Sequence, residues 1–181
     1  VCKTANENDI TVNTIFCGNF QEGIDTHWKD AAYIGGGDYM NIDQDKNYVH
    51  IKSPYDDRII QLNDSLNKTY VAYGKHGAKN YSRQAEQDRN AYEVSESASF
   101  TRAAAKSKHV YKNSSWDLVD AVEEDNIEIE SISVEDLPDE MKGMSTNEKE
   151  KYVLDKQMER SRIQKEIGAL SAKREKYVSD K

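Results

Sequence analysis

The chain has 181 residues, a length that suits one ordinary domain or part of one with an extension. Charged residues make up 32% and hydrophobic ones 36%, with a mean hydropathy of −0.92, a polar balance that suits long solvated helices. A formal charge of −8 argues against nucleic acid or an anionic membrane as partner, and 2 Cys leave no room for a disulfide framework or a Cys-rich metal site.

In chain order, CKTANEN reads as the end of a helix running into a strand, and no membrane-length apolar run follows. With neither Met nor a leader at Val1, the expectation is a natural protein that continues upstream. Ile10, Val12, Ile15 and Phe16 form a short run rich in β-branched and aromatic residues, which predicts a strand buried on both faces. Gly18 ends that run. Trp28, Ala31, Ala32 and Ile34 then fall near one helical face, predicting a helix over 25–34 with Trp28 turned inward as a structural anchor. Gly35-Gly36-Gly37 stops it, and Tyr39, Met40 and Ile42 open a second strand. A strand, a crossover helix and a parallel strand make one βαβ unit, which needs a wider sheet.

Pro54 begins the next helix, with Ser53 as N-cap, Asp56-Asp57 in the first turn and Ile59, Ile60, Leu62 and Leu66 as its apolar face. Tyr70, Val71 and Tyr73 leave it extended, and Gly74–Gly77 reads as a hinge. Residues 80–112 contain no Pro or Gly and predict one long helix with small or sparse apolar positions such as Ala85, Ala91, Val94 and Ala103. Asn113-Ser114-Ser115 breaks it and caps a short helix, with Asp117 in the capping-box position after Ser114 and Trp116, Leu118, Val119 and Val122 on its apolar side. Residues 123–140 are acidic without a Lys or Arg, and the alternation of Ile127, Ile129 and Val134 predicts a strand or an extended tether along a helix groove. Ser145-Thr146-Asn147-Glu148 is a capping box opening a last helix to about residue 178. Ile163, Ile167, Leu170 and Tyr177 make a heptad seam that Arg174 interrupts, and this helix is expected to pair antiparallel with 80–112.

The run Val12-Asn13-Thr14-Ile15-Phe16-Cys17-Gly18, followed by Gly23-Ile24, Trp28, Ala31-Ala32, Gly36-Gly37 and Tyr39, resembles the last two strands of a von Willebrand factor type A (VWA) domain. SPYDDRIIQLNDSLNKTYVAYG is similar to the final helix of such a domain and its exit. LNKTYVAYG, RQAEQDRNA, RAAAKS, WDLVDA, LPDEM and a last helix with R-x-x-I-x-x-x-I resemble the C-terminal extension of a group of bacterial VWA proteins. The resemblance implies an α/β fold over 1–73, the C-terminal portion of a Rossmann-like parallel sheet, and a helical extension with antiparallel long helices over 74–181. It implies a protein-interaction or scaffolding role, another protein as partner, a monomer with a dimer as alternative, no membrane insertion, no enzyme, and a periplasmic or cell-envelope setting. VWA domains hold a Mg²⁺ through Asp-x-Ser-x-Ser and two further loops. That motif does not occur in this chain, so the resemblance puts the ion's ligands upstream of Val1 and assigns no metal or other cofactor to these residues.

Candidate residues stand beside plainer readings. Asn19, Phe20, Gln21 and Glu22 follow the C-terminal end of the first strand, the edge where ligands gather in open α/β sheets, so this loop is a possible ligand face or an ordinary connection. Cys17, His27 and Asp25 suggest a thiol hydrolase, but Ile15 stands where a nucleophile elbow needs Gly. Asp43-Gln44-Asp45-Lys46-Asn47 starts like a calcium loop, then has Tyr48 for the Gly and Pro54 for the Glu. Gln84 and Asp88 share one helical turn and are expected either to dock onto Tyr70–Gly74 or to face solvent. Trp116 and Asp117 read as structural anchors. The basic residues of the last helix, Arg160 among them, are expected to complement the acidic 123–140 stretch. A purely structural, oligomerising helical module is the alternative reading of the whole.

Overall fold

Val12–Cys17 (β1) and Gly36–Ile42 (β2) pair in parallel, as the two apolar runs predict, with Ile15 opposite Met40 and Cys17 opposite Ile42. These coordinates are a computed structural model that describes residues 1–43, 51–124 and 126–181. The chain is mostly helical and mixed α/β, with this small sheet and a long C-terminal helix. Contacts divide it into a unit ending at His50 and a unit beginning at Ile51.

In the first unit, Cys2–Asn6 (α1) precedes β1, and two helices rather than one connect the strands: Phe20–Asp25 (α2) and Trp28–Ile34 (α3). The break falls at His27, whose backbone is left-handed with φ 67°. Gly36 ends the crossover with φ 68°, a conformation that glycine adopts without a Cβ clash. Both helices lie on one side of the sheet. Thr14 Oγ1 donates to the Trp28 carbonyl at 2.8 Å, and the Phe16 ring sits 5.7 Å from Trp28. Gly23 lets α2 approach closely, because a Cβ there would stand 2.0 Å from the Tyr39 hydroxyl.

Burial of β1 on both faces is not what the fold shows. Thr14 on the helix side is buried, while Ile15 on the other side is 49% exposed. Among the described residues the sheet has two strands with α2 and α3 on one face, so the apolar residues of the other face are left half exposed. The inward anchor is corrected too. Trp28 is 43% exposed, because it opens α3 at the rim of the packed face, and Ala32 takes the buried position.

The second unit begins with Asp56–Asn67 (α4) and continues with Gly77–Val94 (α5), Glu96–Lys106 (α6), Leu118–Glu123 (α7) and Thr146–Ser179 (α8). The helix expected over 80–112 is two helices folded back on each other. Ser95 breaks it: its backbone is extended and its hydroxyl caps α6 by accepting from the Ala98 N–H at 3.0 Å. The acidic stretch forms short 3₁₀ turns at Ile129–Ser131, Val134–Asp136 and Asp139–Met141 instead of a strand. Its Ile129, Leu137 and Met141 still enter a core with Val71, Leu118, Val119 and Val153. Asp117, not Ser114, is the N-cap of α7, accepting from the Asp120 N–H at 3.1 Å.

The main core joins α4, α6 and α8 through Ile59, Leu62, Leu66, Phe100, Ala103, Ile163 and Ile167, with Tyr70 and Trp116. Rising α4 numbers meet falling α8 numbers: Arg58 with Glu166, Lys68 with Lys156. Phe100 with Arg174 and Lys106 with Gln164 follow the same order, so α8 runs antiparallel to α4 and α6. The expected seam is present, with Ile163 and Ile167 fully buried, Leu170 packed beside them and Tyr177 edge-on to Tyr55 at 6.5 Å. Arg174 interrupts the seam for a reason. Its Nε donates to Asp56 Oδ1 at 2.8 Å and its guanidinium lies 3.5 Å from the centre of the Phe100 ring. The helix that sequence places at the end of the α/β part, α4, is thus packed in the core of the second unit.

Candidate functional site

Asn19, Phe20, Gln21 and Glu22 are not a loop. Asn19 is the N-cap of α2, its Oδ1 accepting from the Gln21 N–H at 2.8 Å, and the other three form the first turn. Tyr39 pins that turn by donating to the Phe20 carbonyl at 3.0 Å, with the two rings 5.4 Å apart. Asn19 Oδ1, Gln21 Nε2 and the Phe20 carbonyl are engaged within the fold, while the Glu22 side chain is exposed. Among the described residues no group of three or more His, Cys, Asp and Glu gathers as metal ligands. The Asp43–Asn47 loop lies outside the described residues beyond Asp43.

Cys17 is exposed at the end of β1. His27 Nδ1 bonds Asp30 Oδ2 at 2.8 Å, whereas Asp25 accepts from Gln21 Nε2 at 2.9 Å. The acid expected to orient the imidazole is therefore engaged elsewhere. His27 and Asp30 line a shallow groove with Cys2, not Cys17.

The first unit's open feature is the sheet face opposite α2 and α3, where the large apolar side chains are half exposed. Ile15 and Met40 are lateral neighbours, as are Cys17 and Ile42, so all four side chains share the face opposite α2 and α3. Met40 is 52% exposed and Ile42 is similar. Three large apolar side chains and a thiol make a contiguous patch rather than scattered exposure.

In the second unit the side chains turned inward from α5 are polar. Gly77, Tyr81, Gln84 and Asp88 recur at helical spacing, and both Gln84 and Asp88 are placed against α4 rather than against Tyr70–Gly74 or solvent. Gln84 accepts from the Tyr111 hydroxyl at 3.1 Å. Asp88 sits at the centre of a network that sequence reading did not include. Lys106, with 0% exposure, donates to Asn63 Oδ1 at 2.9 Å, Asn67 Oδ1 at 2.5 Å and Asp88 Oδ2 at 2.7 Å. Arg102 Nε donates to Asp88 Oδ1 at 2.5 Å, and Asn67 Nδ2 to Asp88 Oδ2 at 2.7 Å. Burial pulls the Lys106 ammonium down to about 8 against the pull of Asp88. Burial also pushes Asp88 up, but bonds from Lys106, Asn67 and Arg102 outweigh it and hold the carboxyl below its ordinary range. The available sequence signal was the pair Arg102 and Lys106, two like charges at i, i+4 in an Ala-rich helix, which call for a carboxylate between them.

A cleft of about 390 Å³ opens beside this network, lined by Ile60, Asn63 and Asp64 of α4, Ala85, Asp88, Arg89 and Tyr92 of α5, and Ser99 and Arg102 of α6.

Trp116 and Asp117 are buried anchors. Trp116 packs 5.7 Å from Tyr70, and Asp117 Oδ1 accepts from the Val71 N–H at 2.7 Å. Arg160 closes this cluster. Its Nη1 donates to Asp117 Oδ2 at 2.6 Å and Asp120 Oδ1 at 2.7 Å, and its Nη2 to the Thr69 carbonyl at 2.7 Å. Arg160 bonds Asp117 and Asp120, and of the 123–140 stretch Glu123 feels its charge, because Arg160 lies on the buried side of α8 while Glu128, Glu130 and Glu135 are exposed. Burial pushes the Asp120 carboxyl upward despite Arg160.

Among the described residues no helix is long and apolar enough to cross a membrane. No family model, curated protein or solved structure matches this chain.

Proposed function

We propose that the chain is a binding rather than a catalytic module: the closing strands and helices of a VWA-type domain, with a helical extension, in a protein that holds another protein. The observation that carries this reading is the half-exposed apolar row Ile15, Met40 and Ile42, in register across two parallel strands whose other face is covered by helices. A two-stranded parallel pair buries too little to stand alone, and parallel sheets are found with both faces covered. Further protein on that face supplies the missing burial, and a VWA-type sheet is the resemblance under which such strands occur. The second unit is held by its own two cores and by the buried Arg160 and Lys106 networks.

Photo-crosslinking tests it. Benzoylphenylalanine at Met40, in the protein as its cell makes it, is expected to form an adduct with another protein that Ile15→Asp on the same face weakens severalfold. The same probe at exposed Lys173 on α8 is expected to give none. An adduct at Met40 that Ile15→Asp leaves unchanged would overturn the reading; only internal crosslinks would assign this face to the rest of the same domain and overturn the partner-binding part of it.

A further inference from the structure

We infer that the cleft between α4, α5 and α6 is a binding site for a small-molecule carboxylate, held by Arg102 and Ser99. This site lies wholly in the second unit and is separate from the sheet face. Its volume of about 390 Å³ falls in the range of small-ligand sites.

The lining carries unspent donors. Arg102 commits Nε to Asp88, yet its Nη2 is buried and makes no hydrogen bond. Ser99, only 9% exposed, buries a hydroxyl that makes none either. The two residues are three apart on α6, so they present their side chains on one face of that helix and line the same cleft. A buried donor without a partner is destabilising, and a charged one more so; both atoms lie under the cleft wall, so a guest's acceptor would complete them as that wall gives.

Away from Asp64 at the rim, the acceptors in the lining are spent by contrast. Asp88 takes bonds from Arg102, Lys106, Asn63 and Asn67, and both Asn side-chain oxygens face Lys106. What the cleft offers a guest is therefore donation. Charge points the same way. The lining itself balances, Arg89 and Arg102 against Asp64 and Asp88, and the buried Lys106 bonded to Asp88 adds one positive charge behind it. One surplus charge suits a monoanion, and Asp64 at the rim opposes the second charge of a phosphate dianion. One guanidinium N–H and one hydroxyl can each donate to a carboxylate oxygen, while Ile60, Ala85 and Tyr92 offer apolar wall to a short tail.

The test uses the full chain, with butyrate as probe and butyramide as its neutral isostere. Butyrate is expected to shift amide resonances on α4, α5 and α6 saturably, butyramide at least tenfold more weakly, and inorganic phosphate no better than butyramide. Ser99→Ala removes a hydroxyl without a hydrogen bond and should leave the fold intact while weakening butyrate at least fivefold. Arg102→Lys keeps a cation beside Asp88 and should abolish saturation. Equal response to butyramide, phosphate binding tighter than butyrate, a shift that follows ionic strength alone, or unchanged affinity in a folded Ser99→Ala protein would each overturn the assignment.

Discussion

Replacing Lys106 by Met keeps an unbranched stem of similar length and removes the charge. Asp88 is then left buried with Arg102 and two Asn side chains, whose oxygens lose their donor. Removing one member of a buried ionic network costs about 3–5 kcal/mol, and Lys106→Met is expected to lower the urea midpoint of the second unit accordingly. The pH dependence has a definite sign. Lys106 titrates near 8 when folded, against about 10.4 for an unperturbed lysine. Between those values the unfolded chain binds more protons, so this group makes stability rise with pH from about 8 to about 10.4. Asp88, held below the ordinary carboxylate range, acts with the same sign at acid pH. Its contribution is full above about pH 4 and is lost as pH falls through its folded value. Urea titrations of wild type and Lys106→Met across the alkaline range check the first part, because the variant should lose the rise. Asp88→Asn should flatten the acid limb.

Helix α8 is the element on which the second unit is assembled, and Ile167 is its most central buried side chain beside Ile163. Ile167→Asp places a carboxylate among Ile59, Leu66 and Phe100, where it has no built partner, so the core should open at every protein concentration. Sedimentation and circular dichroism over a hundredfold concentration range check this. Loss of structure that appears only as a dimer dissociates would assign the seam to association between copies instead. Much of this packing was legible beforehand. Strong apolar periodicity announced β1, β2, α4 and α8, because burial of one face imposes a period on the sequence; the Ser145 capping box marked the start of α8, whereas α4 starts at Asp56 behind Tyr55 and not at Pro54 behind Ser53. The break at Ser95 was not, since neither Pro nor Gly marks it and one hydroxyl does the capping. The role of α5 was hidden because its inward stripe is polar, and hydrophobic periodicity is blind to Gln84 and Asp88. The cleft was hidden for the same reason, as Ser99 and Arg102 read as surface residues until α4 is placed against them. The two-helix crossover turns on one left-handed residue, His27, a type in which positive φ is unusual but not announced by sequence.

The two tryptophans of the molecule fall one in each unit, and their surroundings differ. Trp28 is 43% exposed and leans on Phe16, so Trp28→Ala should cost the first unit no more than about 2 kcal/mol, below the range for a buried Trp. Trp116, buried against Tyr70 and Tyr81, should cost the second unit about 3–5 kcal/mol on the same change. Hydrogen exchange of the β1–β2 amides in one variant and of the α8 amides in the other reads both. Nearly equal losses would mean that the burial of one of them is misjudged. The enclosure of Lys106 has a kinetic corollary for the molecule at large. An amine with all three protons engaged and no exposed surface cannot meet an acylating reagent until α4 and α6 separate. In a timed acetylation, surface lysines tag at once, and the slow appearance of the mark on Lys106 becomes a stopwatch for how often the interior breathes.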